Sequence, residues 1–351
     1  MKIVKVANHA CVRVQKMAIP LIQKGHEVHL IAHALPTYGE HYKTMNICAN
    51  LDQMANAIDR FADADVFHCH NEPSYFVTLV KERFPDKPVI LDVHDSYSAR
   101  MTAEEYDKLM DEGKYVIRLT AEERNNFQLA DGLVFPGESF ANIVKGEFKL
   151  EQPSIVLPSM LPKSWYRYNI REYLGGLLYE GRVNTKAECE EAANMWGFKY
   201  CEYEDLAKKA HELEMDFHLY TIRKEKEFRD IYKDIAILHE PCNMKDLVKN
   251  ISRHDWGLVG NIFPSTEWEV AFPNKMFEYI AACVPVVAIN AKACGEFLEK
   301  EGIGISVSSL EELAARWAEH RTIRQTLIKK RLNYSMDTHI GELEGLYANF
   351  N

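Results

Sequence analysis

The segment 272–290, FPNKMFEYIAACVPVVAIN, constrains this chain more than any other. A Pro-Asn-Lys turn opens an apolar-periodic helix carrying one glutamate, Glu278. The small residues Ala281, Ala282 and Cys283 follow, and then a β-branched strand from Pro285 to Ile289. The start of such a helix presents unpaired backbone N–H groups and the positive end of its dipole, so it can receive a phosphate. Lys275 in the first turn has the wrong sign for the dipole unless an anion sits beside it. Glu278 lies one turn further in, where a bound nucleotide would offer its ribose hydroxyls. Helix start, lysine and carboxylate together suit a nucleoside diphosphate, with Asn274, Lys275 and Glu278 as its contacts.

Short apolar strands alternate with helical stretches along the rest of the chain, which predicts parallel sheets. In the first half, strands are expected at 2–7, 27–33, 65–70, 88–94, 132–135 and 154–157, separated by helices at 12–24, 51–62, 73–84, 103–129 and 138–147. Two prolines, a Trp-Tyr-Arg-Tyr cluster and a Gly-Gly pair within 158–176 break this rhythm. It resumes with strands at 176–181, 215–222, 235–240, 255–261 and 285–289 and helices at 187–195, 203–213 and 243–251. The tail from 308 is helical, and 321–349 reads as one long amphipathic helix. The expected organisation is a Rossmann-like domain over 1–160, a linker over 161–176, a second Rossmann-like domain over 177–330, and a final helix, 331–351, packing back on the first domain. A chain of 351 residues is long for one core and comfortable for two.

A net charge of −10 disfavours nucleic acid as a partner. Eight cysteines without a Cys-x-x-Cys pair show neither a zinc ribbon nor a redox motif, and several lie in apolar runs as buried thiols. The sequence has no membrane-length apolar run and no signal-peptide core, so a cytoplasmic protein is expected. Arg321, Arg324, Lys329, Lys330 and Arg331 make the final helix basic, which suits a solvated charged face or peripheral contact with a membrane.

The 272–290 segment resembles the donor-binding signature of GT-B glycosyltransferases, in particular the large retaining family (glycosyltransferase family 4-like), where the pattern reads roughly Pro-Asn-Lys-x-Phe-Glu-Tyr-x-Ala-Ala-Gly-x-Pro-Val. Cys283 replaces the usual glycine, and Val270 stands where many members carry a second glutamate, with Glu267 and Glu269 nearby. The resemblance follows the order of landmarks along nearly the whole chain. It implies an α/β GT-B fold: two Rossmann-like domains facing each other across a cleft, with a C-terminal helix crossing back to the first. It also implies a metal-independent transfer of a hexosyl group from a UDP- or GDP-linked sugar, with no further cofactor.

The resemblance carries residue roles with it. YEGRV (179–183) looks like the opening of the donor domain, so Arg182, with either Lys186 or Lys275, would neutralise the leaving diphosphate. Glu240 would lie at the nucleobase, and Glu267 or Glu269 at the transferred sugar, from a loop 262–271 that also carries Trp268. In the first half, His94 would approach the donor sugar at the reacting carbon, while His9, His70, Glu72 and Asp95 would line the acceptor side. His68 and His70, two apart on a strand, have no further metal-ligand pair to join them, so no metal site is expected.

The leading expectation is a retaining glycosyltransferase. The alternatives are a catalytically silent GT-B subunit that binds a partner transferase, and a nucleotide-sugar 2-epimerase. The acceptor is left open among glycan, lipid carrier, protein and small metabolite, because acceptor specificity resides in loops.

Overall fold

A computed structural model of the chain describes residues 1–36, 41–71, 74–96, 114–169, 172–191 and 201–350. They form two compact units, one running from Met1 to Pro162 and rejoined by the segment from Met336 onward, the other from Lys163 to Ser335. Each unit is a Rossmann-like parallel sheet with helical crossovers.

The sheet of the first unit has seven strands: β1 (Lys2–His9), β2 (Glu27–Ala34), β3 (Thr44–Ile47), β4 (Val66–His70), β5 (Val89–Asp92), β6 (Gly132–Phe135) and β7 (Ser154–Val156). Their order is β3-β2-β1-β4-β5-β6-β7, and every pairing is parallel. Crossover helices cover both faces, so β4 is buried along its whole length and its residues need not alternate. Strand β3 was not expected from the sequence. It is a four-residue edge strand, TMNI, largely open to solvent, with too little apolar content to announce itself.

The second unit has six parallel strands: β8 (Leu177–Glu180), β9 (Phe217–Tyr220), β10 (Ile237–His239), β11 (Trp256–Gly260), β12 (Val286–Ile289) and β13 (Gly304–Val307). They are ordered β10-β9-β8-β11-β12-β13. Strand β13 and the helix Lys292–Glu301 before it were also unexpected. That helix is charged over much of its length and buries a narrow stripe of Ala293, Cys294, Gly295 and Leu298. No helix of the described residues is long and apolar enough to cross a membrane.

The tail corrects one expectation outright. The stretch 321–349 is two helices rather than one, His320–Lys330 and Met336–Ala348, joined by a 3-10 turn over Arg331–Tyr334 and an extended Ser335. Tertiary contacts break the helix. The Tyr166 hydroxyl donates to the Tyr334 carbonyl (2.9 Å) and the Tyr334 hydroxyl to Glu301 (2.8 Å), holding the turn in the second unit. One residue past Ser335, the Met336 N–H donates to the Leu161 carbonyl of the first unit (2.9 Å). The basic face is largely spent inward as well. Arg324 donates to the Ser252 carbonyl, Lys330 to that of Glu301 and Arg331 to that of Ala281.

The last bond caps the 272–290 motif. Its helix, Asn274–Ala281, ends with a cation on its final carbonyl, the arrangement its dipole favours. The turn into β12 then requires a left-handed residue, and Cys283 takes it with φ 59°. Glycine adopts this conformation without strain, whereas a side chain costs about 1–2 kcal/mol there. The Cys283 thiol is fully buried, so its packing offsets part of that cost. Replacing Cys283 with glycine and with alanine separates the two terms. Glycine is expected to be more stable than alanine by about 1 kcal/mol in chemical denaturation, the reverse of their order inside a helix.

The final helix docks on the first unit through polar contacts. The Tyr347 hydroxyl and Lys5 Nζ both meet His68 Nδ1, at 2.6 and 2.8 Å, and Glu344 pairs with Lys24 and with His26. Lys5 is fully buried on β1, and burial pushes its ammonium from the usual 10.5 down to about 7. Above pH 7 the unfolded chain therefore binds a proton at Lys5 that the folded chain does not. Folding stability should rise with pH between about 7 and 10, by up to about 1.4 kcal/mol per unit from this group. Lys5→Met should flatten that slope, as read from denaturation midpoints across the range. An unchanged slope would assign the effect elsewhere.

Candidate functional site

In open parallel sheets, ligands bind beyond the carboxyl ends of the strands, beside the strand at which the winding reverses. That strand is β8 in the second unit. It ends at Glu180, and the chain turns at Gly181, whose φ of 125° is closed to most side chains. A Cβ at Gly181 would lie 3.5 Å from Lys275 Cε and 3.7 Å from Lys275 Nζ, so the β8 turn and the motif helix meet here. Lys275 Nζ lies 4.9 Å from the Tyr179 ring centre and 5.6 Å from that of Trp268. Both rings are buried. Trp268 belongs to a short helix, Thr266–Val270, in the stretch read as a loop, and its buried ring lies against Lys275.

The turn opens on a cavity of about 660 Å³ lined by residues 180–184, Thr221, Arg223, Glu240 and Pro241, among others. Arg182 Nε donates to Asn184 Oδ1 (2.9 Å), and the Tyr179 hydroxyl donates to the Arg182 carbonyl (3.0 Å), which fixes the turn on both sides. Arg223 is a second guanidinium on the cavity wall, paired with Glu188 and Glu225 and donating to the Val183 carbonyl. The sequence had not marked it, because it stands three residues past β9 in a charged run.

The remaining candidates of this unit divide clearly. Lys186 is held by Asp205 at 2.5 Å, and neither of these residues nor Lys275 is among those that line the cavity. Glu240 does line it, exposed, and pairs with Arg229 at 3.1 Å. Asn274 is the exposed first residue of the motif helix, and Glu278 is buried on the same helix. Glu269 is exposed on the helix Thr266–Val270, which Glu267 shares.

At the carboxyl edge of the first unit, the organising group is Asp92, the last residue of β5. Arg13 donates to it through Nε and Nη2 at 2.8–3.0 Å, His70 Nδ1 lies 2.9 Å from Oδ2, and His94 Nδ1 lies 3.4 Å from the same oxygen. Burial alone would raise the Asp92 pKa. The Arg13 charge and the two histidine contacts hold it well below the usual carboxylate range. Burial pushes His70 down to about 3 despite its bond to Asp92, so its ring is neutral.

Asn71 sets the loop after β5. Its Oδ1 accepts from the backbone N–H of His94 (3.0 Å) and of Asp95 (3.4 Å), and its amide donates to the Asp95 carbonyl. His94 is half-buried, with Nε2 3.8 Å from Asp95 Oδ2. His9 is exposed at the end of β1, one register step past the apolar run. The structure thus brings His70 and His94 to one buried carboxylate, with Asp95 beside His94, while Glu72 lies outside the described residues. Arg13, Asn71 and Asp92 were passed over in the sequence. Their one signal was an arginine near the start of a helix, VRVQKMAIPLIQ, that is buried over Arg13–Leu21.

A family model described as "Glucosyltransferase 3-like, C-terminal domain" matches residues 199–333, within the second unit. No curated protein matches the chain. Solved structures similar to it include a sucrose-phosphate synthase from Thermosynechococcus elongatus, with a TM-score of 0.69 at 12% identity over 99% of this chain and 100% of that one. An alpha-glucosyltransferase in complex with UDP-glucose and DNA containing an abasic site gives 0.63 at 13% identity, over 99% and 98%. Os79 from O. sativa, in complex with UDP and deoxynivalenol-3-glucoside, gives 0.58 at 11% identity, over 100% of both chains.

Breaking the clamp on Asp92 provides a test of the first unit. Arg13→Met leaves a buried carboxylate without its cation and is expected to cost about 3–5 kcal/mol in chemical denaturation at pH 7. Adding Asp92→Asn removes the stranded charge and should recover part of that loss. A single-variant cost below about 1 kcal/mol would show that Asp92 does not depend on Arg13. Taken together, the two parallel-sheet Rossmann-like units and the similar solved structures show the GT-B fold, and residues 199–333 match a glucosyltransferase 3-like C-terminal domain.

Proposed function

We propose that this chain transfers a hexosyl group from a nucleoside-diphosphate sugar to an acceptor, with retention at the anomeric carbon and without a catalytic metal. The observation that carries the proposal is the approach of Lys275 to the Gly181 turn, which with Arg182 lines a cavity of about 660 Å³ on the edge where parallel sheets bind ligands. Cleaving a sugar–diphosphate bond moves negative charge onto the leaving phosphates. A fixed cation placed there stabilises the transition state more than the ground state. Lys275 suits this role better than Lys186, because Lys275 stands against aromatic rings at the Gly181 turn, whereas Lys186 is neutralised by Asp205. UDP is the favoured nucleotide, since similar structures were solved with UDP or UDP-glucose bound.

In this reading Asn274 and the motif helix start receive phosphate, Glu278 serves the ribose, Glu240 lies at the base, and Glu269 or Glu267 serves the transferred sugar. The first unit supplies His94 to the sugar. His9, Asp95 and Glu72 serve the acceptor, whose class its loops decide. His70 is assigned to positioning, since it is buried against Asp92.

The test is nucleotide release from UDP- and GDP-sugars, paired with thermal-shift titration of the free nucleotides. Lys275→Ala and Arg182→Ala should each lower kcat by about 100- to 1,000-fold, the loss typical of one transition-state donor. Lys186→Ala should stay within about tenfold of the parent, its cation being paired with Asp205. Retained nucleotide binding with no turnover of any sugar conjugate would favour the silent-subunit alternative. Full activity in Lys275→Ala and Arg182→Ala would place the donor site elsewhere.

A further inference from the structure

The second unit holds a histidine cluster that the proposed reaction does not use. His218 lies on β9, His239 ends the neighbouring β10, and His254 stands two residues before β11. His218 Nδ1 and His239 Nε2 are 2.9 Å apart, and one nitrogen from each of the three rings falls within 4.8 Å of the other two. His218 and His254 are buried and His239 is half-buried, on the solvent side of the cluster.

The tautomer of His254 is set by its surroundings. Its Nδ1 lies 2.6 Å from the Gly175 carbonyl oxygen, which can only accept, so Nδ1 carries the hydrogen. Nε2 therefore keeps its lone pair, which faces the Tyr220 hydroxyl at 2.8 Å. His218 is less well served. Its Nδ1 meets another histidine, and its Nε2 is buried without a hydrogen-bond partner. That orphaned Nε2 lies toward Gly176 and is not one of the converging nitrogens. What points to a ligand is that each of three imidazoles brings one nitrogen within 4.8 Å of the other two, a set of neutral donors that a single ion could join.

We propose that His218, His239 and His254 form a transition-metal site, binding Zn²⁺ or a similar divalent ion through His218 Nδ1, His239 Nε2 and His254 Nε2. Imidazole nitrogens suit zinc, copper and nickel. Tetrahedral zinc with bonds of about 2.0–2.1 Å sets its ligand nitrogens about 3.3 Å apart. The His218–His239 pair at 2.9 Å then opens by roughly 0.4 Å, and His254 closes in. The hydrogen between His218 and His239 moves to the other nitrogen of the ring that carried it, so binding three neutral imidazoles releases no proton. Tyr220 holds the place of a fourth ligand, which either its oxygen or a water would fill. The ion would tie β9, β10 and the entry to β11 together. It would also sit behind Tyr220, whose ring stacks on His239 at 4.0 Å and lines the cavity.

The second candidate cluster, His70, Asp92 and His94, carries no such proposal, because Arg13 already occupies the carboxylate. The inference is independent of the glycosyl-transfer reading and stands or falls separately from it.

The experiment uses the full chain, stripped with chelator and titrated with ZnCl2 by calorimetry, with the bound metal counted after dialysis. One zinc per chain is expected, raising the melting temperature reversibly with chelator. His239→Ala should weaken zinc affinity by roughly 100-fold or more, since even residues outside a metal's ligand shell commonly cost 10- to 100-fold. His211→Ala, an exposed histidine outside the cluster, should leave it unchanged. If His239→Ala loses its native circular dichroism, the Co²⁺-loaded parent decides. Paramagnetically shifted N–H resonances from three histidines support the site, and fewer than three overturn it. Absence of stoichiometric binding, or equal binding by His239→Ala and the parent, would reduce the cluster to packed histidines and overturn the proposal.

Discussion

Every strand pairing among the described residues is parallel, and most of the architecture follows from that one constraint. A parallel pair cannot be closed by a hairpin. Each strand must be followed by a crossover that covers one face of the sheet, and strands buried on both faces become apolar runs. Polar chemistry is then pushed to the strand ends. Because the strands of a sheet run the same way, their carboxyl ends collect on one edge. Asp92, His70 and His9 emerge together in the first unit, and Glu180, Tyr220 and His239 in the second.

The first unit also buries three cations near β1, and it accommodates each differently. Arg13 finds a carboxylate, and the bidentate geometry of the guanidinium matches it. Lys16 reaches the Ser159 carbonyl at 3.0 Å, so a backbone dipole partly replaces water. Lys5 meets His68, whose ring carries no compensating charge at neutral pH, and burial answers by lowering its proton affinity. The arginine is the one of the three that remains a strong electrostatic actor. It holds Asp92 ionised, and Asp92 in turn orients both His70 and His94. The loop histidine singled out by the sequence is thus supported by a helix residue 81 positions earlier in the chain.

The fold was legible where the signal was local. GLVF at 132–135 reads as a strand because four apolar residues stand between breakers, and the motif helix reads as a helix because its apolar residues recur at helical spacing. What failed was set by tertiary contact. Strand β3 exists because β2 offers an edge, since TMNI has little strand character of its own. The break at Ser335 comes from Tyr166, Glu301 and Leu161, all distant in sequence, with no proline or glycine to mark it. The candidate residues marked in the sequence stand on or beside recognisable turns, and those that act through a distant partner went unmarked. Asp92 could be seen as a strand end but not as the acceptor of Arg13, because that pairing spans 79 residues.

The same distinction separates the two lysines that the sequence could not rank. Lys186 and Lys275 each stand close in sequence to a plausible phosphate-binding turn. The neighbours that differ are ones no local pattern reveals. Asp205 comes from a later helix and saturates Lys186, and an exposed, screened pair of this kind adds little to stability while removing a cation from service. Tyr179 and Trp268 flank Lys275, and aromatic faces attract an ammonium without supplying a counter-charge. The motif helix has no acidic residue in its first turn, and its other end is capped by Arg331. Among the described residues no acidic side chain stands in that helix's first turn and no ion pair engages Lys275, which is the electrostatic condition for receiving an anion.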